Sequence, residues 1–178
     1  SSPEMISVAS QRVEPIRVKT LKMQDLPEEI LYDGIISLSW SFNYVNSFRE
    51  ANEVLSSFFK ILNPGGRLIL QIAHAPNASG RLNEDREPGP EGQPDDVTFL
   101  YRFHSVSESP DELTAQYVYG CKSRNELLFE EHILRVADAF KVADEAKIVG
   151  FENIELLDSW RGNPLDKSFN VFLLATRS

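Results

Sequence analysis

The residues best suited to chemistry in this sequence are Tyr44 and His74, each of which follows an apolar run. Short continuous apolar runs are typical of buried strands, and ligands of open α/β sheets bind beyond the carboxyl ends of the strands. A histidine there can accept a proton from a hydroxyl or an amine. The alternative is a structural or solvated His74, as is usual for a lone histidine in a loop. We predict His74 and Tyr44 as the catalytic residues.

Tyr44 closes a hexapeptide of unusual composition, Ser-Trp-Ser-Phe-Asn-Tyr, which begins at Ser39. Three aromatic side chains and an amide can form an apolar surface with a few directed hydrogen bonds, which suits a planar or hydrophobic small molecule. We predict that Trp40, Phe42 and Asn43 bind substrate, with Asn43 and Tyr44 in direct contact. The alternative for the Trp and the Phe is packing on the next helix.

A strand–helix–strand unit between Tyr32 and Ile72 is expected to position these residues. The run Gly34–Leu38 is continuous and predicts a strand that is buried on both faces. Ser47 and Glu50 have the spacing of a helix capping box, and apolar residues then recur every three or four positions. An Asn-Pro-Gly-Gly turn ends the helix before a second apolar strand. Strands joined in this way pair in parallel, so the sequence predicts an α/β fold.

The same residues carry a family resemblance. YDGIISL, the capped helix and LNPGGRLIL resemble the segment of class I S-adenosylmethionine-dependent methyltransferases that runs from their fourth strand to their fifth. Residues 2–9 resemble the start of the helix after their second strand, 24–26 the acidic turn before the fourth, and 150–151 the start of the sixth. The resemblance implies a Rossmann-like methyltransferase sheet of the small-molecule type and S-adenosylmethionine as cofactor.

The resemblance also implies a set of cofactor contacts. Met5 would pack near the adenine or ribose, and the Asp25 carboxylate would accept from the adenine amino group with Leu26 beside the ring. The implied cofactor-binding residues are Met5, Gln24, Asp25, Leu26, Ser37 and Leu38. The residues taken alone allow simpler roles, because a methionine at helical spacing commonly faces a core and an aspartate in a turn bonds to its own backbone.

One family feature is missing. Such a domain normally begins with a strand and a Gly-rich G-x-G-x-G turn, in which the backbone approaches the cofactor closely. No G-x-G occurs among the nine glycines of this chain. By this comparison the sequence begins about a third of the way into the family's domain. We expect either a shortened enzyme or one half of a split enzyme, in which a complementary subunit or a second copy pairs with the exposed sheet edge.

The remaining sequence divides into three parts. Residues 1–76 and 137–178 are predicted to form the Rossmann-like core, 77–96 a flexible acidic loop, and 97–136 an antiparallel β insertion. The loop is rich in Pro, Gly, Asp and Glu, so it is either a lid or a disordered insertion. The insertion resembles the substrate-covering or dimerising element of sugar N-methyltransferases and glycine N-methyltransferase-like enzymes. Alternation at 16–23 predicts one further strand in the core.

Four more substrate-binding candidates lie in this second half. Tyr101, Arg102 and His104 fall in the insertion, and Trp160 falls in the loop between the last two strands. A neighbouring Glu-Glu-His triplet at 130–132 does not predict a metal, because alternation along a strand points the middle residue away from the other two.

Composition excludes several classes of partner. A net charge of −9 and a pI near 4.9 disfavour nucleic acids and anionic membranes, since neither polyanion is attracted to an acidic surface. No apolar run approaches the roughly 18 residues of a membrane span. The single cysteine, Cys121, has no intrachain partner, and the expected location is the cytoplasm.

The predicted function is methyl transfer from S-adenosylmethionine to an O, N or C nucleophile of a small molecule. The alternative is a non-catalytic subunit that binds a protein partner, as a homodimer or with a complementary subunit, through its exposed sheet edge. A nicotinamide-dependent Rossmann enzyme is disfavoured, because it needs the same absent glycine motif.

Overall fold

The computed structural model describes residues 3–12, 18–75, 80–88, 97–106, 111–121, 125–159, 161–166 and 168–178. In chain order the elements are α1 (Pro3–Arg12), β1 (Tyr32–Ser37), α2 (Phe48–Ile61), β2 (Leu62–Ala73), β3 (Gly80–Pro88), β4 (Val97–Val106), β5 (Leu113–Cys121), β6 (Glu126–Leu134), α3 (Ala139–Val149), β7 (Phe151–Leu157) and β8 (Asn170–Arg177). A turn of 3₁₀-helix spans Ser41–Tyr44. None of the described helices is long and apolar enough to span a bilayer.

The predicted strand–helix–strand unit is confirmed. β1 and β2 pair in parallel, and α2 connects them. Ser47 caps α2 by accepting from the backbone N–H of Glu50, while the Glu50 carboxylate accepts from the backbone N–H of Asn46 at 2.6 Å. The Pro-Gly-Gly turn bulges out of the start of β2, with Gly65 at a φ of 80°. The capping box and the turn therefore fix both ends of the helix, as their residue types predict.

The prediction that the first strand is buried on both faces was wrong. β1 is the edge of a sheet with the order β1-β2-β8-β7, and Ile36 is 63% exposed. Its side chain lies on the sheet face opposite α2, and among the described strands β1 has one neighbour. A continuous apolar run indicates that something covers both faces of a strand, but it does not identify the covering element. Among the described residues, no element covers the face of β1 that carries Ile36.

The main core lies between this sheet and the helix pair α2 and α3. Alternate residues of β2 (Leu68, Leu70 and Ile72) are fully buried on the helix side, where they meet the buried face of α2 that includes Val54 and Leu55. Outside the core, Asn52 of α2 donates to Glu145 of α3 at 2.8 Å. Each leucine or isoleucine removed from water contributes about 1.5–3 kcal/mol, so this face stabilises the sheet end that carries the site.

The closing elements also match the sequence. Asp138 caps α3 by accepting from the backbone N–H groups of Phe140 and Lys141, and Gly150 ends it at a φ of 115°. β7 and β8 pair antiparallel, and β8 inserts beside β2, also antiparallel. The two last strands expected from the sequence are therefore confirmed, and a capped helix precedes them.

The second sheet has four strands, and one of them lies outside the predicted insertion at 97–136. Its order is β3-β4-β5-β6, all antiparallel. Residues 80–88, predicted as part of a flexible acidic loop, form β3 and pair with β4. Charged residues are tolerated in the edge strand of a sheet. Strand β3 was not predicted because a segment rich in charged residues lacks the apolar pattern that predicts a strand. The rest of the predicted loop, 77–79 and 89–96, lies outside the described residues.

The strand predicted at 16–23 does not form in its described part. Residues 18–22 belong to neither a helix nor a strand, and Met23 begins a turn. No described strand lies beside this segment, and a strand without a neighbour leaves its backbone groups unpaired. The segment instead supplies side chains to the cavity described below.

Candidate active site

The loop after β1 turns sharply at two consecutive residues. Ser39 and Trp40 have φ angles of 53° and 58°, in the left-handed region of backbone conformation. Each residue other than glycine that adopts this conformation destabilises the fold by roughly 1–3 kcal/mol. Gln71 of β2 accepts from the Ser39 backbone N–H at 2.9 Å, and Asn170 of β8 accepts from the Trp40 indole at 3.0 Å. The Trp40 ring also meets Phe169 edge-on at 5.2 Å. Contacts to two strands thus hold the strained turn.

Asn43 fixes the next part of the loop from inside. Its side chain is fully buried, and its amide donates to the carbonyls of Val136 at 2.7 Å and Ala73 at 3.3 Å. Its side-chain oxygen accepts from the Ala73 N–H at 3.1 Å, and its backbone carbonyl accepts from Arg135. Asn43 therefore joins the loop, the end of β2 and the segment after β6. A side chain in that position does not reach a substrate, so the geometry does not support its predicted substrate contact.

Tyr44 points the other way. Its hydroxyl lies 2.7 Å from Nδ1 of His132 on β6, and the two rings meet edge-on with centroids 5.7 Å apart. Glu130 lies on the far side of the imidazole, 3.6 Å from Nε2. Burial raises the pKa of the Tyr44 hydroxyl, and nearby Tyr117 and Glu130 raise it further. The tyrosine therefore stays protonated and is a hydrogen-bond donor near neutral pH.

A cavity of about 890 Å³ opens beside Tyr44. Its lining comes from α1, the segment before β1, the loop after β1, the start of α2, and β6. The lining residues are Met5, Leu21, Lys22, Met23, Gln24, Ser39, Ser41, Tyr44, Val45, Asn46, Glu50 and His132. A volume of this size with apolar and polar sectors is typical of small-molecule sites.

The polar sector of the cavity is organised by Glu50. One carboxylate oxygen accepts from the Gln24 side-chain amide, and the other accepts from both N–H donors of Asn46. The hydrogen bonds from Asn46 hold the pKa of Glu50 below its usual range. Glu50, the second residue of the α2 capping box, therefore also positions Gln24 at the cavity.

The surroundings of His74 do not support its predicted role as a base. Its Nδ1 accepts from the Ala139 backbone N–H at 3.0 Å, and its ring packs edge-on against Phe140. In the neutral ring the proton then sits on Nε2, so neither nitrogen offers a free lone pair. Burial lowers the pKa of His74, which Asp138 opposes only in part. The geometry supports a structural role at the start of α3.

Apart from Ser37, which is described below, the other predicted site residues separate into four groups. Met5, Gln24 and Tyr44 come together at the cavity. Leu26, Phe42 and Trp40 pack in or against the core, whereas Asp25 and Leu38 are exposed but do not line the cavity. Of β4, which carries Tyr101, Arg102 and His104, the structure describes the backbone only, and Trp160 lies outside the described residues.

His132, Glu50, Lys22 and Asn46 belong to the site but were not among the predicted site residues. His132 was considered only as a metal ligand, and nothing local in the sequence indicates that β6 approaches Tyr44. Glu50 was assigned entirely to the helix cap. In the described part of the chain, no group of three His, Cys, Asp or Glu side chains could hold a metal ion.

The cavity can be tested for its fit to the implied cofactor. Met5, Leu21 and Met23 offer apolar contact to an adenine ring, and Gln24 and Asn46 offer polar contacts to ribose hydroxyls. Ser37 Oγ, at the carboxyl end of β1, is buried and has no hydrogen-bond partner among the described residues. The described residues therefore fit the adenosine part of the cofactor. They include no Gly-rich turn for its amino acid end.

Comparison with solved structures identifies the fold. A S-adenosylmethionine-dependent methyltransferase from Clostridium acetobutylicum matches with a TM-score of 0.73 and 20% identity, over 98% of this chain and 72% of that one. An amino pentose methyltransferase of calicheamicin biosynthesis from Micromonospora echinaspora, with S-adenosylmethionine bound, gives 0.74 and 15%, over 99% and 71%. A sugar N-methyltransferase from Streptoalloteichus gives 0.75 and 15%, over 99% and 68%.

The chain has the methyltransferase fold. At these identities the likeness concerns the fold, and it confirms the predicted Rossmann-like methyltransferase sheet with its antiparallel insertion. Neither a family model nor a curated protein sequence matches this chain.

The role of Asn43 predicts a large loss of stability in Asn43→Ala. The change leaves the Ala73 and Val136 backbone groups buried without partners, so the free energy of unfolding should fall by about 3 kcal/mol. Asn63→Ala is the matched control, because Asn63 makes one exposed hydrogen bond to Asp33 and its loss should cost less than about 1 kcal/mol. Urea denaturation measures both. Equal losses would contradict the role assigned to Asn43.

The environment of His74 predicts a pH dependence of stability. Because burial lowers its pKa in the fold, the contribution of the neutral ring is complete above the unfolded value of about 6.5 and is lost as the pH falls below it. Asparagine places an acceptor near the position of Nδ1 but does not titrate. The unfolding free energy of His74→Asn should therefore fall less steeply than that of the wild type below pH 6.5. Parallel curves would contradict this assignment.

Proposed function

We propose that this chain carries out methyl transfer from S-adenosylmethionine to a small molecule that bears an O, N or C nucleophile, with nitrogen the preferred atom. The observation that carries the proposal is a cavity at the carboxyl end of β1 in a methyltransferase fold, lined by Met5, Gln24 and Tyr44 among others. The names of two structural neighbours, an amino pentose methyltransferase and a sugar N-methyltransferase, support nitrogen. A single cysteine is compatible with the cytoplasm.

The proposed work of the protein is mainly positional. Holding donor and acceptor in line removes much of the entropic barrier of a bimolecular reaction, so few side chains need to react. Met5, Leu21 and Met23 would hold the adenosine part of the cofactor, which supplies the electrophilic methyl group when bound. The loop at Ser39–Tyr44 would then set the position of the methyl acceptor. Hydrogen bonds to β2 and β8 and the buried side chain of Asn43 hold the backbone of this loop in place.

Calorimetric titration of the full chain with S-adenosylmethionine and S-adenosylhomocysteine tests the cofactor. We expect micromolar binding of both. Leu21→Glu should weaken it about tenfold, because a charge replaces an apolar contact that the adenosine would bury. Leu31→Glu is the matched control: Leu31 is 48% exposed, against 44% for Leu21, but it does not line the cavity. An absence of heat with both ligands would overturn the proposal.

A second candidate function is an association subunit that pairs through the exposed edge of β1. The observation in its favour is that edge itself: β1 has a single neighbour among the described strands, and Ile36 is exposed beside it. An exposed apolar edge strand invites pairing with another chain, because its unpaired N–H and C=O groups form a template. The proposed partner is a second copy of this chain or a complementary subunit with a free strand.

Sedimentation of the full chain tests the homodimer. We expect concentration-dependent dimerisation that Ile36→Lys weakens at least tenfold, since a charge at the edge would have to be desolvated on pairing. Ile148→Lys is the control, because Ile148 is 73% exposed on α3, on the other side of the sheet. A monomer at all concentrations would exclude the second copy, and equal effects of the two substitutions would exclude the β1 edge.

A further inference from the structure

We propose that Tyr44 and His132 form a proton relay that receives the proton of the methyl acceptor, with Glu130 as a positioning residue. The inference rests on the proposed methyl transfer, and it assigns to β6 a role in the reaction beyond covering the substrate. It also replaces His74, whose lone pairs are engaged elsewhere, as the source of a base.

The geometry of three side chains carries the proposal. Tyr44 and His132 both line the cavity, and the Tyr44 hydroxyl lies 2.7 Å from His132 Nδ1, within normal hydrogen-bond distance. His132 Nε2 faces the Glu130 carboxylate at 3.6 Å, close enough for an ion pair once the ring is protonated. The Tyr117 ring packs edge-on against the imidazole, with centroids 5.5 Å apart. Tyrosine, histidine and glutamate thus form a continuous series of polar contacts that begins at the cavity.

The direction of the relay follows from the state of the tyrosine. A hydroxyl whose pKa is raised stays protonated, so it does not act as a phenolate base near neutral pH. In the proposed relay this hydroxyl donates to His132 Nδ1, which lies 2.7 Å away. In the relay, the lone pair of this oxygen accepts from the methyl acceptor bound in the cavity that Tyr44 lines. An amine that accepts the methyl group can therefore donate its N–H to the Tyr44 oxygen, while the hydroxyl proton of Tyr44 is directed to the imidazole.

The proton transfer balances without any further reactant. The acceptor nitrogen forms a bond to the methyl carbon as the carbon–sulfur bond of the donor breaks, and the electron pair of that bond stays on sulfur. The acceptor N–H bond then breaks and a new O–H bond forms at Tyr44. The original hydroxyl proton of Tyr44 passes to His132 Nδ1, and the resulting imidazolium pairs with Glu130. Solvent removes the proton before the next cycle, because the imidazole is one-third exposed.

The tautomer of His132 tests the first step without any ligand. In the neutral ring, donation from Tyr44 to Nδ1 requires the ring proton to sit on Nε2. Nitrogen-15 correlation spectra of the imidazole in the full chain distinguish the two tautomers. We expect the Nε2–H form in the wild type and a mixture in Tyr44→Phe. The Nδ1–H form in the wild type would overturn the relay, since the tyrosine would then be the acceptor.

His132→Asn separates a relay from a structural bond. Asparagine can accept from the Tyr44 hydroxyl near the position of Nδ1, but it cannot take up the proton. With S-adenosylmethionine and an amino pentose as the probe acceptor, kcat should fall about 100-fold or more while the Kd for S-adenosylmethionine changes less than about twofold. A fall in kcat of less than about threefold would overturn the relay.

Glu130→Gln and Glu131→Gln form the matched pair for the positioning role. They make the same change in charge on adjacent residues of β6, but Glu131 bonds to Gln116 on the other face of the strand. We expect Glu130→Gln to lower kcat with an unchanged KM for the amino pentose, and Glu131→Gln to change neither. Equal kcat values in the two variants would remove Glu130 from the proposal.

Different results would overturn the proposed methyl transfer and the proposed relay. A wild-type chain that does not bind S-adenosylmethionine would overturn the proposed function, and the relay with it. Normal cofactor binding with unchanged turnover in His132→Asn would overturn the relay alone.

Discussion

The site depends on the burial of one amide, Asn43. Its side chain satisfies backbone groups of β2 and of the segment after β6, where water cannot reach, so the loop after β1 has one low-energy position. Residues on a tight 3₁₀ turn point in different directions, and with Asn43 and Phe42 inward, Tyr44 is left to face the cavity. The same constraint opposes relaxation of the strained backbone just before it, at Ser39 and Trp40.

The sequence was sufficient for most of the fold because local signals and the family resemblance agreed. The capping pair Ser47 and Glu50 and the Pro-Gly-Gly turn are local chemistry, and both appear in the structure as predicted. Burial of β1 was not predictable in the same way, because it depends on what covers the second face of the sheet. Strand β3 was missed for the opposite reason: pairing with β4 holds a charged segment that has no apolar pattern of its own.

The site was less predictable than the fold, because each of its residue types is consistent both with ligand binding and with a structural role. Asparagine in an aromatic loop suits a ligand, but a buried asparagine equally suits the backbone groups it reaches, and only the positions of Ala73 and Val136 decide between them. His74 illustrates the same ambiguity, since its distance to the Ala139 amide is a tertiary property. His132 lies 88 residues from Tyr44, so no short-range pattern could connect them.

The arrangement also divides the work between the two sheets. The parallel pair and its helices provide rigid positions at the carboxyl ends of β1 and β2, where binding requires precise geometry. The antiparallel sheet meets this edge through β6, whose alternation directs Glu130 and His132 to the same face. His132 is the residue that the second sheet contributes to the described lining of the cavity, so a change there alters one part of the lining while the parallel pair keeps its position. The choice of methyl acceptor would then depend on the second sheet, while the core keeps the features common to the fold.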